Sequence, residues 1–184
     1  MIGRGFALVP LVLLASLVAC GGDDATITTI DGLPTEDTAL CLDVDRAERP
    51  VVDLIAPALD LAAELFDDPE FYEVSADRQR VSMIVAMPDG EAQQTFFCSA
   101  GYVLPTSLGP AGGSTFTAEA VELDAATIFD GIDAELDAAD VVDVALVGDG
   151  AGGVIYDARV RSAAGGTILV RLTPTGTIVG VQAE

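Results

Sequence analysis

The side chains able to do chemistry are few in kind: carboxylates, arginines and three cysteines. The chain has no His, no Lys and no Trp. Without His it assembles neither a Ser-His-Asp nor a Cys-His nucleophile system, and no His-bearing zinc site. Without Lys it has no Schiff base, no Ser-Lys dyad and no P-loop. Carboxylate pairs are common: Asp43-x-Asp45, Asp67-Asp68-x-Glu70, and Asp130 with Asp133. Such pairs serve acid/base chemistry or hold Ca²⁺, yet none has the spacing of an EF-hand loop. With 30 Asp and Glu against 8 Arg, a solvated acidic surface accounts for them. Sugar chemistry would also want aromatic platforms, and aromatics are 5% of the chain. The expectation is a non-enzyme with no metal and no cofactor. A net charge of −22 over 184 residues repels phosphate backbones, so nucleic acid is not expected as a partner.

Five arginines, Arg78, Arg80, Arg159, Arg161 and Arg171, fall in sheet-like segments. On an acidic chain they are candidates for gripping a carboxylate or a partner's acidic patch. Pairing with neighbouring Asp is the competing reading. Arg159 and Arg161 alternate with Val160, and Arg171 lies between Val170 and Leu172, so all three are expected on one outward face. There they would form a local positive island, the candidate partner-binding site, unless Asp157 and Asp143 neutralise it.

The cysteines divide by position. Arg4 precedes an uncharged run from Phe6 to Val18, which contains Pro10. Thirteen residues of helix reach about 20 Å, short of the roughly 30 Å of a bilayer core. The run reads as the hydrophobic part of a signal peptide. Its end, Leu17-Val18-Ala19-Cys20, resembles the lipobox of bacterial lipoprotein signal peptides. That resemblance implies a diacylglycerol on the Cys20 sulfur, cleavage before Cys20, an acylated N-terminus and residence on the extracytoplasmic face of the cell membrane or outer envelope. Residues 1–19 are then the signal peptide, and 20–37, rich in Gly, Asp and Thr, the lipidated flexible tether. With Cys20 consumed, Cys41 and Cys98 are an even pair in an exported protein. A disulfide between them would close a loop of about 57 residues, worth roughly 4 kcal/mol in the chain-entropy model. Two buried thiols are the alternative.

The rest of the sequence gives the elements that must position these groups. A helix is expected from Pro50 to Phe66, with Val51, Leu54, Ile55, Ala58, Ala62, Leu65 and Phe66 on one face and Pro57 kinking or restarting it. Strand-like runs follow at Phe71–Ala76, Arg80–Met87 and 93–100, then Tyr102–Leu104, with Asp89-Gly90 as a hairpin turn. Residues 105–116 read as a linker. A second helix falls within Thr117–Asp137, its stripe Val121, Ala125, Ile128, Phe129, Ile132 and Leu136, with Asp124 as a candidate N-cap. Four more strands are expected: Val141–Val147, Val154–Arg161, Thr167–Thr173 and Thr177–Val181. Gly148–Gly153 resembles a fragment of a calcium-binding nonapeptide repeat, but a single copy between two strands reads as a hairpin loop.

The two halves look alike at an offset of 70–75 residues. Glu70-Phe71-Tyr72-Glu73-Val74 parallels Asp140-Val141-Val142-Asp143-Val144, and Ala63-Glu64-Leu65 parallels Ala134-Glu135-Leu136. The fold class is therefore α+β, with two similar helix-plus-antiparallel-sheet units, 38–104 and 117–184, able to form one continuous domain. In the second unit a helix is followed by Gly153–Val160, Gly166–Leu172 and Thr175-Gly176-Thr177-Ile178-Val179. This series is similar to PepSY-type domains, which implies an extracytoplasmic module that restrains peptidases or binds peptides. Leu172-Thr173-Pro174 departs from that family, which commonly has an Asp shortly before the turn Gly. The tandem layout is similar in outline to β-lactamase inhibitor proteins. Together these imply a lipid-anchored binding protein for a protein or peptide partner. The alternative is a carrier or sensor of an apolar ligand, lined by Met83, Met87, Phe96, Phe97 and Tyr102. A filled core with an exposed sheet face would favour the first, an apolar cavity the second.

Cys20→Ser should abolish acylation and release the protein from the membrane fraction. Intact-mass analysis checks this: wild type lacking acyl mass, or a Ser variant that still partitions with membranes, would contradict the lipobox reading.

Overall fold

The computed structural model describes residues 40–136, 138–162 and 165–184. The expected signal peptide 1–19, Cys20 and the tether 20–37 lie outside them. Pro50 and Pro57 set where the first helix starts. A single 3-10 turn, Val52–Leu54, follows Pro50, and α1 runs Ile55–Leu65. Pro57 is the third residue of α1, in the first turn, where its missing N–H leaves no intrahelical bond unmade. The second helix, α2, is Ala125–Glu135, eight residues later than the earliest start the sequence allows. Asp124 caps it: its carboxylate accepts from the N–H groups of Ala126 at 2.9 Å and Thr127 at 3.3 Å.

The strands are β1 (Glu70–Ala76), β2 (Val81–Ala86), β3 (Glu91–Cys98), β4 (Gly101–Pro110), β5 (Phe116–Thr117), β6 (Asp140–Gly148), β7 (Val154–Arg161), β8 (Thr167–Leu172) and β9 (Ile178–Ala183). They form one nine-stranded antiparallel sheet in the order β4-β3-β2-β1-β6-β7-β8-β9, with β5 beside the start of β1. The protein is thus mixed α+β and mostly sheet. One expectation is corrected. Residues 105–116 are not simply a linker, because β4 runs on to Pro110 against β3. Pro105 and Pro110 are tolerated because β4 is an edge strand, with two register shifts against β3.

Both helices cover the same face of the sheet. Ile55, Ala58, Leu59 and Ala62 of α1 and Ile128 and Ile132 of α2 share one core with Phe71, Val74, Met83, Leu146, Tyr156 and Val170. Most of the alternation in β7 comes out as expected: Tyr156, Ala158 and Val160 are buried in the core and Arg159 and Arg161 are exposed, but Asp157, paired with Arg171, is buried too. A smaller cluster forms where Cys41 and Cys98 are bridged, with Cα atoms 5.6 Å apart, beside Val103. The bridge fastens the start of the described chain to the end of β3. Gln79 adds hydrogen bonds to the carbonyls of Leu42 and Val44.

Two glycines set how closely the β8–β9 turn meets α2. Gly176 has φ +78°, and a Cβ there would fall 2.0 Å from the Thr127 carbonyl oxygen. A Cβ on Gly131 would fall 1.9 Å from the Gly176 oxygen. Gly90 in the β2–β3 turn has a similar φ of +83° but open space around it. Gly90→Ala should therefore cost about 1 kcal/mol, the backbone strain alone. Gly176→Ala should cost about 3 kcal/mol or more, because strain and overpacking combine. Urea midpoints of the two variants compare them directly, and equal losses would show that the turn does not dock tightly on α2.

Candidate functional site

Arg78 and Arg80, expected in sheet segments, lie in the β1–β2 turn, and the face of the sheet opposite the helices carries Arg159, Arg161 and Arg171. Register decides how they are met. Arg159 of β7 lies directly opposite Asp143 of β6, Arg161 opposite Asp140, and Arg171 of β8 opposite Asp157. Each of these cross-strand neighbours is an ion pair. Arg159 pairs with Asp143 and, at 3.2 Å, with Glu184. Arg161 reaches Asp140 at 3.2 Å. Arg171 grips Asp157 with two parallel bonds of 2.9 and 3.0 Å. The expected positive island is therefore not present. Arg159, Arg161 and Arg171 do share the outward face, but it is a ladder of neutralised pairs. Of the partners, Asp143 and Asp157 were foreseeable from the alternation, and Asp140 and Glu184 were not.

Asp140 was hidden by a bulge. In a regular strand Asp140 and Asp143, three apart, point to opposite faces. The register shifts between Val141 and Asp143, one extra residue is absorbed, and both carboxylates turn to the helix-free face. Asp140 then serves two cations, Arg161 and Arg78. Arg78 also donates to the Val141 carbonyl at 3.2 Å. Its buried Nε has no acceptor among the described residues.

Beside these pairs an open groove of about 410 Å³ crosses the middle of the face. Its centre is paved with small side chains: Ser75 of β1 sits opposite Ser82 of β2 on one side and Ala145 of β6 on the other. Its rim is charged. Arg80 lies over the Phe96 ring, 4.1 Å from the centroid, and 3.8 Å from Asp77. Arg159 and Asp143 close the opposite side. A second hollow, about 340 Å³, lies at the sheet end beyond Asp77, where Arg46, Arg78, Arg161 and Asp140 meet. Both hollows are open and polar. Of the residues proposed for an apolar pocket, Met83 and Tyr102 are buried in the interior, and Phe96 reaches the groove only at its rim, under Arg80. Among the described residues no group of three or more His, Cys, Asp or Glu is arranged to hold a metal ion. No described helix is long and apolar enough to cross a membrane.

Comparison with protein-family models, curated proteins and solved structures finds no match to this chain.

Burial governs the electrostatics of Asp143. Removal from water pushes its carboxyl above the usual value, more than the attraction of Arg159 pulls it down, and Glu184 and Glu73 add to the rise. The same pairing raises Arg159 further. A carboxyl with a raised folded-state pKa holds its proton more tightly folded than unfolded. It therefore weakens the fold above that pKa, and the penalty fades as pH falls through it. Arg159→Gln removes the main attraction and should cost about 1 kcal/mol at neutral pH, the upper range for a partly exposed pair. The loss should shrink at acid pH, where Asp143 is protonated. Denaturant midpoints of wild type and variant across the pH range test this, and a loss that grows on acidification would contradict it.

Proposed function

We propose that this chain is a lipid-anchored, extracytoplasmic binding protein that engages a protein or peptide partner through the helix-free face of its sheet, and that it is not an enzyme. The observation that carries the reading is the face itself. One whole side of a nine-stranded sheet is left without helices, and its cations are matched by carboxylates on a molecule of net charge −22. A matched face meets a partner without the repulsion that the rest of the surface imposes. The filled core weighs against the apolar carrier: Phe71 and Met83 are fully buried within it, packed among the side chains of both helices and the sheet.

The two halves are read as repeats of one helix-and-hairpin unit, the second of them PepSY-like. β1 and β6 each carry a bulge at the same place, between Phe71 and Glu73 and between Val141 and Asp143, seventy residues apart. At that offset Ser75 corresponds to Ala145, and these two pair with each other across the β1–β6 seam. Val74 with Leu146 and Ala76 with Val144 are then equivalent pairs on either side. The groove lies on this pseudo-two-fold axis, so a partner would touch both units. The Cys41–Cys98 bridge suits an anchor on Cys20, since pull on the tether is met by a covalent bond.

A photo-crosslinking side chain placed at Ser75, Ser82 or Ala145 of the membrane-anchored protein should give discrete adducts in the native envelope. The same group at Asp60 or Glu64, exposed on α1, should give none. Ala145→Arg, which fills the groove, should remove the adducts formed at Ser75. Equal labelling from both faces, or insensitivity to Ala145→Arg, would remove the face from the account.

A further inference from the structure

The two edges of the sheet are built differently. β4 carries two prolines and two register shifts, features that blunt an edge. β9 closes the other side with Ile178-Val179-Gly180-Val181-Gln182-Ala183, which has no proline and no charge. Among the described residues it pairs with β8 alone, and Val179 and Val181 are 60% and 56% exposed. The Glu184 N–H donates to the Thr167 carbonyl, which fixes the alternation of the ladder. Gly180 and Gln182 then bond to β8, while Val181 and Ala183 turn their N–H and C=O outward. An uncharged edge with outward backbone groups is a template for another strand.

The surroundings define what fits. Beyond Ile178, Asp130 and Glu135 of α2 line a hollow of about 300 Å³ beside Thr177. At the far end stands Glu184, which shares Arg159 with Asp143. Between them Gly180 opens a shallow hollow of about 250 Å³ beside the Arg171–Asp157 pair. The edge is therefore a neutral, β-branched stretch bracketed by carboxylates. A second copy would set like charge against like, and would bring net −22 against net −22. A basic-flanked strand would not.

We propose that β9 accepts an extended segment of a partner protein as a tenth strand. That segment has about six residues of alternating β-branched character, matching the roughly 20 Å of β9, and Lys or Arg at both ends. The site does not depend on occupancy of the helix-free face.

The probe is the peptide Lys-Lys-Val-Thr-Val-Thr-Val-Thr-Lys-Lys, titrated against the full-length protein, with amide exchange read residue by residue. Binding with new protection at Val181 and Ala183 is expected. A twin peptide N-methylated at alternate residues should bind about tenfold more weakly or worse, because the interstrand hydrogen bonds are lost. A Glu-flanked twin should lose affinity as well. Val181→Pro removes an outward N–H without touching the β8 ladder and should abolish binding. If that variant is itself destabilised, the N-methyl comparison on wild type decides. Equal binding of the methylated twin, or protection elsewhere, would overturn the proposal. So would a doubling of mass without peptide that Val181→Pro abolishes, since the edge would then belong to a second copy.

Discussion

Backbone pairing between β1 and β6, from Glu73 opposite Val147 to Ala76 opposite Val144, is the seam at which two hairpin series become one sheet. Each of these strands would otherwise be an edge, apolar on its helix-facing side and open to any other chain. Pairing removes both edges at once. It also brings Val74, Ala76, Val144 and Leu146 together, all fully buried, so the seam continues into the core that α1 and α2 share. On the other face the centre of the seam carries two small side chains, Ser75 and Ala145, and the groove lies over them.

The bulges in β1 and β6 give the seam its chemistry. Each absorbs one residue, so the strand changes which side chains it sends to the core. In β1 this lets Phe71 and Val74, three apart, both be buried. In β6 it buries Val141 and Val144 together and turns Asp140 and Asp143 outward toward Arg161 and Arg159. Partly exposed pairs of this kind add little stability, about 0–1 kcal/mol each. Their larger effect is on the field: they leave one neutral face on an acidic protein, and a neutral face chooses different partners from an acidic one.

Much of the fold was legible because periodicity is a direct imprint of burial. Val81, Met83 and Val85 alternate and are buried, and the limits expected for β7 are those observed. The hairpin turn at Asp89-Gly90 carries its own signal in the positive φ that glycine supplies. The misses share a cause. Pro105 and Pro110 signal a loop unless one knows that β4 is an edge, and edge position belongs to the whole sheet. Asp140 was not placed with Asp143 because period-two counting breaks at a bulge, and nothing in Val141-Val142 announces one. The positive island failed for the same reason: whether Arg159 faces solvent or a carboxylate depends on interstrand register, which alternation within one strand does not contain.

The claim on which the account rests is that the two halves are one sheet with one core, so that a single face spans both. Native-state hydrogen exchange of the full-length protein under increasing denaturant tests it most directly. The account predicts that the ladder amides of β1 and β6 are among the slowest to exchange, and that amides of β2 and β7 open with them at the free energy of global unfolding. Two halves that open at separate denaturant concentrations, with β1 and β6 amides exchanging by local opening, would contradict it.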